Sequence, residues 1–304
     1  MFDLAIIGGG PAGVAAGVYA ARKRLKTILI TESFGGQSIE SAGIENWIGW
    51  KSIPGVEFGK MLEEHLRAYA GDAVDIKFDK VNKINKLNQE FEIQTNSGQA
   101  YKSKTVLIAT GSTRRKLDIP GAKEFENKGI SYCASCDGPI FAGQDVAVIG
   151  GGNAGFETAA QLLNYASSVT LLNRSDIFKA DPATVEKVLS HPKMKAIKNA
   201  IPKEIKGDKF VSTMIYHSEG ADHELKVTGI FVEIGLVPTT DFAEGLVKMN
   251  KINQIEVDSK TQRTSTEGIW AAGDSTDGLY HQNNIAAGDA VKALEDIYLH
   301  LHTK

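Results

Sequence analysis

One strand–turn–helix–strand pattern occurs twice in this chain of 304 residues, and the repeat restricts the possible folds more than any other feature. Residues 3–33, DLAIIGGGPAGVAAGVYAARKRLKTILITES, align without a gap with residues 145–175, DVAVIGGGNAGFETAAQLLNYASSVTLLNRS. Each copy starts with a short apolar strand, passes through GGGxAG into a helix, and ends with a second apolar strand. The pattern predicts two βαβ units, each belonging to a parallel sheet.

The glycines of each copy occupy the positions that a dinucleotide-binding turn requires. One pair would allow the tight turn, one would let the backbone approach a pyrophosphate, and one would let helix and strand pack closely. In that order, the three pairs are Gly8 and Gly150, Gly10 and Gly152, and Gly13 and Gly155. The N-terminus of the helix would then face the anion. The alternative, a glycine-rich turn that binds no nucleotide, is harder to sustain for two copies than for one.

The two copies differ at the end of the second strand. The first copy has Glu32 at this position and the second has Arg174. An acid there accepts hydrogen bonds from an adenosine ribose, whereas an arginine suits a 2′-phosphate. The sequence therefore predicts FAD or NAD at the first site and NADP at the second. A surface arginine without a ligand remains the alternative for Arg174.

Two further stretches resemble cofactor-contacting turns. VLIATGS, residues 106–112, and GIWAAGDST, residues 268–276, each read as a buried strand that runs into small residues. Such a turn lets the backbone lie against a cofactor. Asp274 in the second stretch either binds a hydroxyl-bearing chain or caps the helix predicted after it.

Composition excludes several classes of function. A formal net charge of -3 provides no general attraction to nucleic acid or anionic lipid. The sequence contains no apolar run of 18 residues, so no membrane span is expected. It begins directly on a strand pattern, and two cysteines are too few for a secreted disulfide scaffold. We therefore expect a cytoplasmic protein, with a length that accommodates two domains.

The two cysteines lie three residues apart in SYCASCDGP, residues 131–139. A zinc site would need four ligands, and neither a second CxxC nor a histidine pair lies nearby, so no metal is expected. A buried core pair fits poorly with the polar, turn-like flanks. A redox-active dithiol fits better, because this spacing on a helical turn brings Cys133 and Cys136 within disulfide reach. Asp137 follows directly and suits a proton donor.

Taken in order, these motifs resemble the low-molecular-weight thioredoxin reductases over essentially the whole chain. The resemblance rests on the two GGGxAG units, on CASCDGP before the second unit, and on the late AAGDST and YHQ segments. Within this group, GGQSIESAGIENW, CDGPIF and TGIFVEIGLVPTT are most similar to the flavoprotein subunit of bacterial alkyl hydroperoxide reductase. The additional N-terminal thioredoxin-like domain of that subunit is not expected here.

The resemblance implies an α/β fold of two Rossmann-like dinucleotide-binding domains of the three-layer ββα type, the second inserted into the first. The FAD-binding domain would comprise residues 1–114 and 241–304. The NAD(P)H-binding domain, which carries the CxxC, would comprise residues 115–240. A homodimer is the assembly that the resemblance implies.

The resemblance also implies the cofactor contacts, residue by residue. Those for FAD are Gly8, Gly10, Pro11, Ala12, Gly13, Glu32, Gly36, Gln37, Asn46, Ala109, Thr110, Gly111, Gly273, Asp274, Gln282 and Asn283. Those for the nicotinamide nucleotide are Gly150, Gly152, Asn153, Ala154, Gly155, Arg174 and Lys179. Relatives that use NADPH usually carry His-Arg-Arg and a further arginine at the adenosine end. This chain has only Arg174 and Lys179 as cations there, so NADPH is favoured and NADH remains possible.

In the mechanism that the resemblance implies, electrons pass from NADPH through FAD to Cys133–Cys136. Cys136 would face the flavin, and Cys133 would attack the disulfide of thioredoxin or a similar small dithiol protein. Four alternatives stay open. The enzyme could take electrons from ferredoxin, or use NADH to serve a glutaredoxin-like or peroxiredoxin system. It could instead be a flavin dithiol oxidase, or a redox-sensing binding module whose flavin never turns over.

Overall fold

The computed structural model describes residues 1–41 and 43–303, and the chain divides into two compact units. Unit 1 comprises Met1–Thr113 and Val237–Lys304, and unit 2, Arg114–Leu236, is inserted between these two segments. The sequence predicted the boundaries after residues 114 and 240. Each unit is a Rossmann-like α/β structure built on a parallel sheet, which confirms the predicted fold class.

The first segment of unit 1 carries most of its sheet and two of its helices. Its elements are β1 (Phe2–Ile7), α1 (Pro11–Arg22), β2 (Thr27–Thr31), α2 (Gly55–Ala70), β3 (Val74–Phe78), β4 (Val81–Leu87), β5 (Glu90–Thr95), β6 (Ala100–Ile108) and β7 (Ser112–Arg114). Gly36–Glu40 forms a 3₁₀ turn between β2 and α2.

Unit 2 repeats the strand–helix–strand order and adds a three-stranded antiparallel sheet. Its elements are β8 (Ile130–Ser131), α3 (Ala134–Asp137), β9 (Asp145–Ile149), α4 (Asn153–Leu162), β10 (Ser168–Leu172), α5 (Pro182–Leu189), β11 (Met194–Ile197), β12 (Ile201–Gly207), β13 (Val211–Ser218), β14 (Ala221–Lys226) and β15 (Gly229–Val232). Gly138–Phe141 is a 3₁₀ turn that follows α3 directly.

The chain then returns to unit 1 through β16 (Leu236–Pro238), which pairs with β7. The remaining regular elements are β17 (Ile269–Ala271) and α6 (Asn283–His302), with 3₁₀ turns at Asp241–Ala243 and Gly273–Ser275. Among the described residues, no helix combines the length and the apolar character needed to cross a bilayer.

The parallel sheet of unit 1 is buried on both faces. Its strands lie in the order β3-β2-β1-β6, with β17 parallel to β6 and with β5 and β4 continuing the sheet in antiparallel fashion. Alternate residues of β1 face opposite cores: Leu4 and Ile6 pack toward α1, α2 and α6, while Ala5 and Ile7 pack toward β4, β5 and residues 243–257. Burial on both faces explains why the strands read as unbroken apolar runs.

Unit 2 has the same three-layer arrangement. Its parallel sheet has the order β11-β10-β9-β15-β8, and the antiparallel sheet has the order β12-β13-β14. Val146 and Val148 of β9 share a core with α4, whereas Ala147 and Ile149 share a core with Ile205 and other residues of the antiparallel sheet. The two cores place the predicted nucleotide-binding turn, which joins β9 to α4, at the carboxyl edge of the sheet.

The first and third glycines of each turn differ in what requires a glycine, either the backbone conformation or the space for a Cβ. Gly8 and Gly150 adopt positive φ angles of 115° and 129°. A Cβ on Gly155 would lie 1.9 Å from the carbonyl oxygen of Gly150, and the equivalent distance from Gly13 to Gly8 is also 1.9 Å. By contrast, a Cβ on Gly152 would meet no described atom within 4 Å. The third glycine is therefore required for packing, and the second faces open space.

We expect Gly155→Ala to lower the midpoint of thermal unfolding, because its methyl group would overlap the Gly150 carbonyl. Overpacking of this kind costs about 1–3 kcal/mol. The matched variant Gly152→Ala should leave the midpoint unchanged, since open space surrounds the added methyl. Circular dichroism during heating measures both midpoints. Equal midpoints for the two variants would contradict the packing role of Gly155.

Candidate functional site

A cleft in unit 1 gathers most of the residues predicted to bind FAD. Its cavity volume, counted as the space accessible to a water molecule, is about 220 Å³, and the cleft is open to solvent. The predicted residues that line it are Gly8, Gly10, Pro11, Ala12, Glu32, Gly36, Gln37, Ala109, Thr110, Gly111, Gly273, Asp274 and Asn283. The carboxyl ends of β1, β2, β6 and β17 bring these residues together.

Three other residues predicted for this site lie apart from the cleft lining. Gly13 packs behind the turn, against the Gly8 carbonyl. Asn46 and Gln282 contact each other, with the Asn46 Nδ2 donating to the Gln282 Oε1 at 3.0 Å. Nδ2 of Asn284 in turn donates to the carbonyl oxygen of Asn46 at 2.7 Å. This pair joins the loop after the Gly36–Glu40 turn to the start of α6.

The end of the cleft beside β2 carries charge that the sequence patterns did not reveal. Glu32 directly follows β2, and its carboxylate lies 3.4 Å from the Nζ of Lys80. Asp79 also lines the cleft, and hydrogen bonds from Ser97 and Thr95 lower its pKa to about 2. Both Asp79 and Lys80 follow β3, the strand next to β2 in the sheet. Their place at the carboxyl end of a parallel strand is the only signal that could have identified them.

The position of Asp274 excludes one of its two interpretations, the helix cap. Asp274 lies in the 3₁₀ turn after β17 and lines the cleft, while the residue preceding α6 is Gln282. Asp274 is therefore not the cap of this helix. Its Oδ1 lies 3.5 Å from the Nδ1 of His281, and the hydroxyl of Ser38 donates to Asn283 at 2.8 Å. Polar groups from three separate segments thus meet in this part of the cleft.

The second predicted nucleotide site lies at the turn between β9 and α4 in unit 2. Gly150, Gly152, Asn153, Ala154 and Gly155 form this turn and the first residues of the helix. The Asn153 Oδ1 accepts a hydrogen bond from the backbone N–H of Asp181 at 2.8 Å. The backbone N–H of Lys179 donates to the carbonyl oxygen of residue 151, also at 2.8 Å. The segment that carries Lys179 is therefore held directly beside the turn.

Arg174 and Lys179 lie in the loop after β10, and both side chains are exposed. A side chain that binds a ligand phosphate needs such exposure. Their neighbour Asn173 is 7% exposed, and its Nδ2 donates to the carbonyl oxygens of Ser175 at 2.8 Å and Ile177 at 2.9 Å. Asn173 therefore shapes the loop that presents the two cations, and its side chain is committed to backbone atoms.

Cys133 and Cys136 form a disulfide with their Cα atoms 5.3 Å apart. Cys133 directly precedes the short helix α3, and its carbonyl oxygen accepts the backbone N–H groups of Cys136 and Asp137. The hydroxyl of Ser131 accepts the backbone N–H of Cys133 at 3.1 Å and donates to the Asp137 Oδ2 at 2.6 Å. Ser131 therefore links the disulfide backbone to the neighbouring acid. No group of three or more metal-ligating side chains occurs within the described ranges.

The Asp137 carboxyl group has the electrostatic surroundings of a proton donor. Burial raises the pKa of Asp137, and the hydrogen bond from Ser131 and the positive charge of Arg114 partly oppose that rise. A carboxyl group whose pKa is raised holds its proton at higher pH than an exposed aspartate does. Perturbed groups of this kind are frequent at functional sites.

Glu233 is a second carboxyl group of unit 2 with a raised pKa. It belongs to the segment TGIFVEIGLVPTT, but the sequence analysis assigned it no role. It directly follows β15, and its side chain is partly buried. Burial raises the pKa of Glu233, while a hydrogen bond from Thr158 and the charge of Arg114 oppose the rise. Arg114 thus acts on both raised carboxyl groups of this unit.

Comparison with known proteins agrees with this geometry. Among curated proteins, the chain is 41% identical over 294 residues to a protein named NADH dehydrogenase from Bacillus subtilis (strain 168), covering 96% of this chain and 57% of that protein. It is 38% identical over 304 residues to the F subunit of alkyl hydroperoxide reductase of Pseudomonas aeruginosa, covering 99% of this chain and 58% of that protein. The chain therefore spans little more than half the length of these relatives.

Solved structures match over the whole chain. Thioredoxin reductase from Streptococcus pyogenes MGAS5005 has a TM-score of 0.90 at 33% identity, with 100% of this chain and 99% of that chain covered. Thioredoxin reductase from Giardia duodenalis has a TM-score of 0.93 at 32% identity, with the same coverage. The predicted resemblance to the thioredoxin reductases is confirmed. The family model described as pyridine nucleotide-disulphide oxidoreductase matches residues 2–290, and the chain belongs to this family.

Proposed function

We propose that this chain is a flavin-dependent disulfide reductase that carries electrons from NADPH through FAD to Cys133–Cys136 and on to a small dithiol protein such as thioredoxin. The observation that carries the proposal is the disulfide whose backbone is linked through Ser131 to the partly buried acid Asp137. It lies in a chain with two dinucleotide-type turns of the same geometry. The named thioredoxin reductases that match the whole chain support the choice of partner.

The residues of the unit 1 cleft fit FAD. A Cβ on Gly10 would have only the Cα of Gly36 nearby, at 3.9 Å, so the two glycines leave space for a ligand between them. Glu32 at the end of β2 would accept hydrogen bonds from the ribose, and Asp274 would face a hydroxyl-bearing chain. When bound, FAD would supply the step that converts hydride transfer from a nicotinamide into two-electron reduction of a disulfide.

The thiol chemistry follows from the positions of the two cysteines. In the reduced pair, the Cys133 thiolate would attack one sulfur of the partner disulfide, forming a mixed disulfide and releasing the other partner sulfur as a thiolate. Cys136 would then attack the Cys133 sulfur, so that the Cys133–Cys136 bond forms again and the second partner sulfur leaves. Two electrons pass to the partner, and its two sulfurs take up two protons. Asp137 is placed to hold one of the protons exchanged at the dithiol.

Arg174 and Lys179 support NADPH as the electron donor. Both cations are exposed at the end of β10, where a 2′-phosphate would lie, and the buried Asn173 between strand and loop carries no charge. An acid at this point would repel the phosphate. Because the Bacillus relative is named NADH dehydrogenase, NADH is the second candidate donor.

A peroxiredoxin system is the second candidate for the electron acceptor. The curated relatives that are named as the F subunit of alkyl hydroperoxide reductase favour it. This chain spans little more than half the length of these relatives. A cytoplasmic location and a homodimer stay predictions.

Cys136→Ser should abolish reduction of a protein disulfide while reduction of the bound flavin by NADPH survives, because hydride transfer precedes the thiol step. Rapid-mixing absorbance at the flavin band measures the first step, and turnover with a thioredoxin disulfide measures the second. The adjacent variant Ser135→Ala serves as the control and should keep both steps, since the exposed Ser135 hydroxyl contacts only Gln161 among the described residues. Loss of flavin reduction in Cys136→Ser would refute the proposed order of events.

Arg174→Ala should raise the KM for NADPH about ten- to a hundredfold and change the KM for NADH little, because only NADPH carries the 2′-phosphate. The estimate corresponds to a charge-assisted bond of roughly 1.5–3 kcal/mol. Steady-state kinetics with each nucleotide measure both constants. Lys187→Ala, an exposed cation on α5, is the control. Equal effects on the two nucleotides would exclude the phosphate-binding role.

Asp137→Asn should lower disulfide reduction about 10²–10⁴-fold, the usual contribution of a positioned proton donor.

The same change should stabilise the protein near neutral pH. Burial raises the pKa of Asp137 in the folded protein, so ionising this carboxyl costs stability as pH rises through that pKa. The gain in thermal midpoint should disappear below the ordinary pKa of aspartate, where both folded and unfolded chains are protonated. A variant that is equally active, or less stable at neutral pH, would contradict these roles.

A further inference from the structure

Glu233 lies beside the predicted nucleotide-binding turn of unit 2, and the disulfide chemistry assigns it no task. A Cβ on Gly150 would lie 2.1 Å from the carbonyl oxygen of Glu233, so the two residues pack directly against each other. The contact follows from the sheet, because β9 and β15 are parallel neighbours with Ile149 opposite Val232. Glu233 therefore lies at the carboxyl edge of the sheet, at the turn itself.

Sheet order assigns Glu233 to one particular half of a bound dinucleotide. In the order β11-β10-β9-β15-β8, the chain proceeds from β9 to β10, which lies on one side of β9. β15 lies on the other side of β9. Ligands of such sheets occupy the crevice at this switch point, with the pyrophosphate on the turn. Arg174 follows β10 and marks the adenosine side. The nicotinamide half then extends to the opposite side of β9, where Glu233 follows β15.

The carboxylate is oriented and keeps one oxygen available. The hydroxyl of Thr158, a buried residue of α4, donates to the Glu233 Oε1 at 2.8 Å. In the part of the chain that the structure describes, this is the one hydrogen bond to the carboxylate, so Oε2 can accept another. The charged groups that act on it are Arg114 and Glu157, which have opposite signs. Glu233 is thus a fixed acceptor, only partly buried, in the crevice.

We propose that Glu233 accepts a hydrogen bond from the carboxamide N–H of the nicotinamide ring, with Thr158 as the positioning residue that holds the carboxylate. The inference rests on the proposed function, because it requires a nicotinamide nucleotide in unit 2. An ionised carboxylate can only accept hydrogen bonds. Glu233 would therefore favour an amide, which donates, and repel a dinucleotide that carries a carboxylate in place of the amide. It serves as a specificity-determining residue for the nicotinamide end.

Three ligands separate this role from a structural one, and all three bind without turnover. The first is NAD⁺ or NADP⁺, whichever the holoprotein binds more tightly. The second is the same dinucleotide with nicotinic acid in place of nicotinamide. The third is the corresponding ADP-ribose, which has no pyridine ring. Titration calorimetry in alkaline buffer gives each Kd. The wild-type protein should prefer the amide over the acid about ten- to a hundredfold, the range of a hydrogen bond to a charged group.

Two variants of Glu233 test the origin of that preference. Glu233→Ala should reduce the preference at least about tenfold, with the affinity for ADP-ribose unchanged. Glu233→Gln should bind the nicotinic acid dinucleotide more tightly than the wild type does, because its amide can donate to the carboxylate. Thr158→Val should reduce the preference in the same direction and by less.

Two results would overturn the inference, and both differ from the result that would remove the proposed function. Equal losses for all three ligands in the Glu233 variants would mean that the residue only supports the turn, and a wild-type protein without amide preference would exclude its role. A wild-type protein that binds neither NAD⁺ nor NADP⁺ would instead remove the proposed function itself. Circular dichroism shows in each case whether the variant is folded, whatever its affinity for ADP-ribose.

Discussion

The approach of a helix to the strand before it, with no side chain between them, is the contact on which both units depend. In each turn, a Cβ on the third glycine would lie 1.9 Å from the carbonyl oxygen of the first. Because Gly13 and Gly155 carry no Cβ, α1 and α4 can begin directly above the carboxyl edges of β1 and β9. That position points the free N–H groups of each helix start into the crevice. The side chains that end neighbouring strands, such as Glu32 and Arg174, then face the same space.

Much of the fold could be predicted from the sequence because its central strands are buried on both faces. Double burial gives unbroken apolar runs, and the runs around the two GGGxAG turns identified the parallel strands. The inserted arrangement followed only from the resemblance to the thioredoxin reductases. The antiparallel strands could not be predicted in this way. Strands β4, β5 and β12–β14 pack by one face, and their pairing follows from cores that join residues far apart in sequence, such as Ile205 with Ala147.

The candidate sites show the same division between local and distant information. Residues inside a turn or directly after a repeated strand, such as Gly10 and Asp274, could be predicted because the motif itself positions them. Lys80 and Glu233 could not, because neither lies in a turn that a motif positions, and only the strand order brings each of them to a cleft or turn. Asn173 shows a further limit. The sequence does not reveal that the side-chain amide of this residue, next to Arg174, is bound to loop carbonyls.

One cation acts on both carboxyl groups of unit 2 that have a raised pKa. Burial raises the pKa of Asp137 beside the disulfide and of Glu233 at the turn between β9 and α4, and Arg114 opposes the rise at each. A positive charge stabilises the ionised form of a neighbouring carboxyl group. Replacing Arg114 by a neutral residue would therefore raise the pKa of both groups further, since burial would then act with less opposition.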